Sequence, residues 1–113
     1  MSTINHQIGL AEAIELTTRF RKNPGPDMPY SETYNAESVR LLLAQPGCAS
    51  FRLYLGRKAD ERICTVLVAA DVNGQDILPL GKPSQLAAGD DGIILEDAFQ
   101  CPPACPPPSP LNG

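Results

Sequence analysis

Apolar residues recur three and four apart between Leu10 and Lys22, and this spacing predicts an amphipathic helix over that span. Leu10, Ala13, Ile14, Leu16, Thr17 and Phe20 fall within an arc of roughly 160° on a helical wheel. Glu12, Glu15, Arg19 and Lys22 share the opposite side, with Glu15 and Arg19 spaced as a favourable i,i+4 pair. Gly9 stands at the N-cap, Ile8 and Ala13 are placed to form a hydrophobic staple, and Asn23-Pro24-Gly25-Pro26 ends the helix. A second helix is predicted from about Ala36 to Gln45. Asn35 caps it, Pro46-Gly47 stops it, and Val39, Leu42 and Leu43 form its apolar stripe. Residues 23–34 between the helices read as a proline-rich loop, in which Tyr30 and Tyr34 either pack locally or line a pocket.

The period then changes from 3.6 to 2. Ala49–Leu55 alternates, with Phe51, Leu53 and Leu55 on one face and Ser50, Arg52 and Tyr54 on the other. Ile63–Val72 is β-branched and nearly all apolar, as a central strand covered on both faces would be. Gly56–Arg62 between them is a charged hairpin loop, and Asn73-Gly74 predicts a type I′ turn into a third strand, Gln75–Leu80. After a loop over Gly81–Gly92, Ile93–Leu95 is a short fourth strand. Cys101–Gly113 holds 6 prolines in 13 residues and suits only extended chain.

The fold class these elements predict is α+β: two N-terminal helices packed on one face of an antiparallel meander of three to four strands, followed by a Pro-rich C-terminal tail. A length of 113 residues suits one domain, assigned to 1–105 with 106–113 as the tail. Arg52, Tyr54, Val66, Val68 and Ala70 make the second sheet face too apolar to stay wet. Either the tail or a second copy is expected to cover it.

Charge narrows the partners. Net charge is −4, and residues 63–113 carry one basic residue, Lys82, against six acidic ones. Nucleic-acid binding, which needs basic side chains to displace counterions, is not expected. No apolar run nears the ~18 residues of a membrane span, and the first ten residues lack the basic and apolar regions of a secretory signal. A cytoplasmic location follows as an expectation, and with it free thiols at Cys48, Cys64, Cys101 and Cys105.

Cys101-Pro-Pro-Ala-Cys105 is the one unusual chemical pattern. It admits two zinc ligands, a local disulfide, or free thiols that anchor the tail, and the last is favoured. If Leu55 pairs with Ile63, then Cys64 lies opposite Tyr54 and Cys48 opposite Ala70. That places Cys48 and Cys64 roughly 20 Å apart and rules out a site sharing all four cysteines. Catalysis has little to draw on: His6 is the sole histidine, and neighbouring acidic pairs such as Asp90-Asp91 point to opposite faces in a strand. No cofactor and no enzymatic activity are expected.

Ala44-Gln45-Pro46-Gly47-Cys48, Arg52-x-Tyr54-x-Gly56, Asp71-x-Asn73-Gly74-x-Asp76 and Cys101-Pro102-Pro103-x-Cys105 together resemble a family of small bacterial proteins with no assigned activity. The resemblance spans most of residues 9–105. It implies a bacterial origin and a shared fold and transfers no site; the longer Pro-rich tail departs from it.

The functional expectation is a non-enzymatic protein-interaction module acting as a homodimer, through the second sheet face or the edge strand, with a further protein partner. Arg52, Tyr54 and Phe99 are its candidate interaction surface. The alternative is a small-ligand or metal-binding protein that uses Cys101 and Cys105. In the tail, residues 98–105 are expected to pack on the body with Phe99 mostly buried, and 106–113 to be loosely held.

Overall fold

A computed structural model describes residues 6–79 and 92–112. It holds an α+β arrangement of two helices, α1 (Leu10–Lys22) and α2 (Ala36–Leu43), and six short strands. These are β1 (Ser31–Thr33), β2 (Ser50–Arg57), β3 (Ile63–Ala70), β4 (Asp76–Ile77), β5 (Ile94–Leu95) and β6 (Phe99–Cys101). All strand pairs are antiparallel.

The sheet is organised by β3, the strand whose composition marks it as central. Its flank toward β2 is paired over the full eight residues, from Ser50 opposite Ala70 to Arg57 opposite Ile63. This register is two residues from the expected one. The connecting turn is tighter than seven residues: Lys58 N donates to Arg62 O at 2.8 Å, and Glu61 takes the left-handed conformation (φ 78°) that closes it. A shift of two preserves the faces, so the alternation read from sequence survives although the rungs change. The second hairpin is built the same way. Gly74 N donates to Asp71 O at 2.9 Å, Gly74 has φ 82°, and Asp71 Oδ1 accepts from Asn73 N and Gln75 N. Only one residue of positive φ is used, so the turn is a three-residue loop with a glycine bulge rather than type I′. β3 therefore ends at Ala70, and Val72 is 83% exposed on the turn.

The other flank of β3 is shared. β4 pairs at its end (Ala69 opposite Ile77), and β5 takes the next rungs (Val68 opposite Ile94, Leu67 opposite Leu95). The expected third and fourth strands are thus two pieces of one interrupted edge, not successive strands of a meander. Leu80 and residues 81–91 of the expected loop lie outside the described residues.

Two further strands fall outside the predicted ones. β1 lies in the loop before α2, and β6 lies at the start of the tail; they form a separate two-stranded ribbon, Ser31 opposite Cys101 and Thr33 opposite Phe99. Phe99 points outward at 65% exposure, which corrects the expected burial of that ring, while Gln100 and Cys101 are buried. The tail does dock at 98–101, but through the β6 backbone and Gln100.

The helices also differ from each other. α2 starts at Asn35, whose side chain accepts from Glu37 N (2.8 Å) and Ser38 N (3.2 Å), leaving fewer unpaired amides at the helix start. It sets Leu42, fully buried, on Leu67 and Ala69; Tyr34, Cys48, Ile77, Ile93 and Leu95 close around them. Gln45 ties this end to β5, donating to Leu42 O (3.0 Å) and accepting from Ile93 N (3.0 Å). α1 contributes no residue to this core. Its Phe20 meets Tyr30 edge to face at 6.3 Å between ring centres, and Arg21 donates to Leu111 O. The expected packing of both helices on the sheet therefore holds for α2 only. No helix among the described residues is long and apolar enough to cross a membrane.

Candidate interaction surface

The outer edge of the sheet is β2, and its exposed backbone can be derived from the hairpin. The Lys58–Arg62 bond fixes which rungs are hydrogen-bonded, and such rungs alternate in an antiparallel pair. Even-numbered residues of β2 thus turn their N–H and C=O toward β3. Phe51, Leu53, Leu55 and Arg57 turn theirs outward, and among the described residues no strand pairs with them. The side chains of the same odd-numbered residues lie on the face that carries Leu67 and Ala69. Phe51 is 43% exposed, Leu53 55% and Leu55 74%.

These three residues form one wall of an apolar groove of about 380 Å³, with Met28, Tyr34 and Leu67 among the residues opposite and beneath. Its floor is a closed polar network. Tyr34 Oη donates to Thr65 O (2.9 Å), and Thr65 Oγ1 donates to Glu32. Burial raises the Tyr34 phenol above its ordinary range; the Thr65 hydrogen bond opposes that shift and Glu32 adds to it.

Glu32 and Gln100 do a second job in this network. Among the described residues no strand pairs with β3 beyond β5, and their side chains stand in for one. Thr65 N donates to Glu32 Oε1 (3.2 Å), Gln100 Nε2 donates to Ile63 O (2.9 Å), and Ile63 N donates to Asp27 O (2.8 Å). Gln100 Nε2 also donates to Glu32 Oε2 (2.5 Å), so both carboxylate oxygens are occupied. The groove is built to expose apolar surface, with its polar groups turned inward.

The opposite face behaves differently from expectation. Arg52 on β2 pairs with Asp76 on β4, and Tyr54 Oη donates to the same carboxylate at 2.6 Å. Arg52 is opposite Val68 and Asp76 is opposite Ala70, so this bridge crosses over β3 between those two side chains. Val68 is 3% exposed and Ala70 0%. The hydrogen bond to Asp76 raises both the Arg52 and Tyr54 pKa values above their ordinary ranges. The second face is therefore closed from within by a polar strap. Two of the three candidate surface residues, Arg52 and Tyr54, are engaged in that strap, while Phe99 stands apart on β6.

Cys101 and Cys105 are joined in a disulfide, Cα–Cα 4.4 Å, which replaces the expected free thiols; Cys48 and Cys64 are unpaired. Bonded to each other, the sulfurs of Cys101 and Cys105 carry no thiolate charge for a metal. No cluster of three or more potential metal ligands occurs among the described residues. Cys64 lies opposite Gly56, and Cys48 lies eight residues earlier on the same strand path, roughly 27 Å away at ~3.4 Å per residue. Burial raises the Cys64 thiol above its ordinary range, and Glu96 adds to the effect. Lys58 beside it is itself raised by Glu96, at 2.6 Å, and by Asp97.

The groove beside an unpaired strand edge carried only a partial sequence signal. Alternation placed Phe51, Leu53 and Leu55 together, but nothing local told that their face is covered at one end only. Comparison with family models, curated proteins and solved structures gives no match.

Proposed function

We propose that the protein is a non-enzymatic interaction module that acts as a homodimer through the apolar edge of β2. The observation that carries this reading is the coincidence, on one strand, of a backbone edge unpaired among the described residues and three exposed large apolar side chains. Edge strands of this kind are normally blunted by charge, proline or a bulge. Here the mid-strand charge, Arg52, is neutralised by Asp76, and the strand has no proline. A second copy is the occupant that supplies a matching edge of the same length and an equally apolar stripe.

Light scattering at tens of micromolar tests it. The expected mass is about 24 kDa, twice the 12.1 kDa of one chain. Leu53→Arg puts a charge into the middle of the stripe at an exposed position and should return the protein to one chain's mass with the fold intact. A wild-type protein of single-chain mass rejects the reading. The competing idea, a metal held by Cys101 and Cys105, requires the pair reduced, and it would gain only if the reduced protein took up zinc stoichiometrically.

A further inference from the structure

We infer that the two copies join edge to edge along β2, antiparallel, with the two-fold axis passing through Leu53; this rests on the homodimer reading above and specifies its geometry. The outward-turned backbone groups belong to Phe51, Leu53, Leu55 and Arg57, so hydrogen-bonded rungs must join odd-numbered residues of both copies. A symmetric pairing is then defined by the residue on the axis, and the charges on the strand discriminate between the choices.

An axis at Arg52 sets two guanidiniums face to face. An axis at Leu55 brings Arg52 against Lys58 of the second copy. Like charges directly opposite are destabilising, and both are disfavoured. An axis at Tyr54 sets Phe51 against Arg57, and one at Phe51 leaves Leu55 beyond the end of the opposing strand. With the axis at Leu53, Phe51 faces Leu55 of the second copy, Leu53 faces itself and Leu55 faces Phe51. Arg52 then lies opposite Tyr54, and Arg57, already held by Asp27 at 3.7 Å, falls opposite Ala49, whose N–H is given to Ala70 O at 2.8 Å, so the shared ladder ends at the rungs joining Phe51 and Leu55. Only this register matches all three apolar residues with apolar partners and sets no like charges opposite each other.

Directly opposed residues project to the same face of a sheet, so the two grooves adjoin across the axis. Six apolar side chains, three from each copy, would line one continuous trough. Neither copy completes it alone.

Cross-linking reads the register. In a Cys48→Ser background, Leu53→Cys should form a covalent dimer on oxidation or with a short bis-thiosulfonate linker. Leu55→Cys alone should not, because its two copies lie four residues apart along the strands, roughly 14 Å at ~3.4 Å per residue. Mixing Phe51→Cys with Leu55→Cys should yield the hetero-linked pair. A protein that is dimeric by scattering but whose Leu53→Cys variant stays unlinked overturns this register and leaves the homodimer reading standing. Single-chain mass for the wild type overturns both.

Discussion

Cys64 shows how one residue can be readable in type and unreadable in state. Its position in an apolar run announces burial, and it is 5% exposed. That its neighbours include Glu96 and Lys58 depends on the return of the chain through β5, which local pattern does not encode. Burial and Glu96 hold its proton on, so its folded-state pKa lies above the unfolded value. A group shifted in this sense supports the fold while the pH is below the ordinary thiol range, ~8.5, and loses that support as the pH rises above it. At about pH 8, Cys48, which is half-buried and donates to Ser50 O, should be alkylated well before Cys64. Mass spectrometry of partially labelled protein checks the order; equal rates at the two sites would contradict the burial of Cys64. The disulfide follows the same rule: Cys-x-x-x-Cys admits it beside the favoured free thiols, and what selects it is the approach of the Cys101 and Cys105 Cα atoms to 4.4 Å, which no local pattern specifies.

Elements were legible where a sequence pattern repeats and illegible where an element is completed by distant side chains. α1, α2, β2 and β3 have periods of 3.6 or 2 long enough to register. β1 and β6 are three residues each, and neither alternates; they exist because Glu32 and Gln100 complete the ladder of β3. This gives the ribbon a role that a tail would lack. Removing residues 106–113 should leave the melting temperature nearly unchanged, because that segment holds the body through little more than Leu111 O. Removing 98–113 deletes Gln100 and leaves the Ile63 carbonyl and one Glu32 oxygen unpartnered. Each such loss costs about 1–3 kcal/mol, enough to lower the melting temperature by several degrees. Thermal melts of the two truncations decide the matter, and identical values would show that the ribbon contributes nothing.

At the scale of the whole molecule, the class was readable and the distribution of apolar surface was not. Sequence alone suggested that the second face, with Val68 and Ala70, would need covering from outside. The Arg52–Asp76–Tyr54 strap covers it instead, a cross-sheet arrangement that depends on register and on the placement of β4. The reverse holds for Phe51, Leu53 and Leu55, which read as core-facing residues but lie beyond the reach of α2. The cause is length: α2 has eight residues and spans about 12 Å, so it shields the sheet around Leu67 and Ala69 and leaves the β2 edge open. With α1 set against Tyr30 and the tail rather than the sheet, no second helix among the described residues makes up the difference. Surface that a two-helix cover would have enclosed is thereby left exposed at Phe51, Leu53 and Leu55.

The interrupted edge of the sheet has a consequence for how the gene can be edited. Ile77 stands opposite Ala69 and Ile94 opposite Val68, so the chain leaves the ladder and rejoins it at the very next rung. Asp76, Ile77, Ile94 and Leu95 thus occupy four successive rungs of β3, as one continuous strand would. Deleting residues 78–93 would join Ile77 to Ile94 by one peptide bond with pairing and facing both preserved: Ile77 and Leu95 on the α2 side, Ile94 on the other. The Gln45–Ile93 hydrogen bond and the packing of Ile93 would be forfeited. The excised chain should still fold with β3 at the centre, at reduced stability, and amide exchange should keep Leu67 and Ala69 among its slowest positions. Such a seam would accept a foreign sequence as readily as it gives up its own.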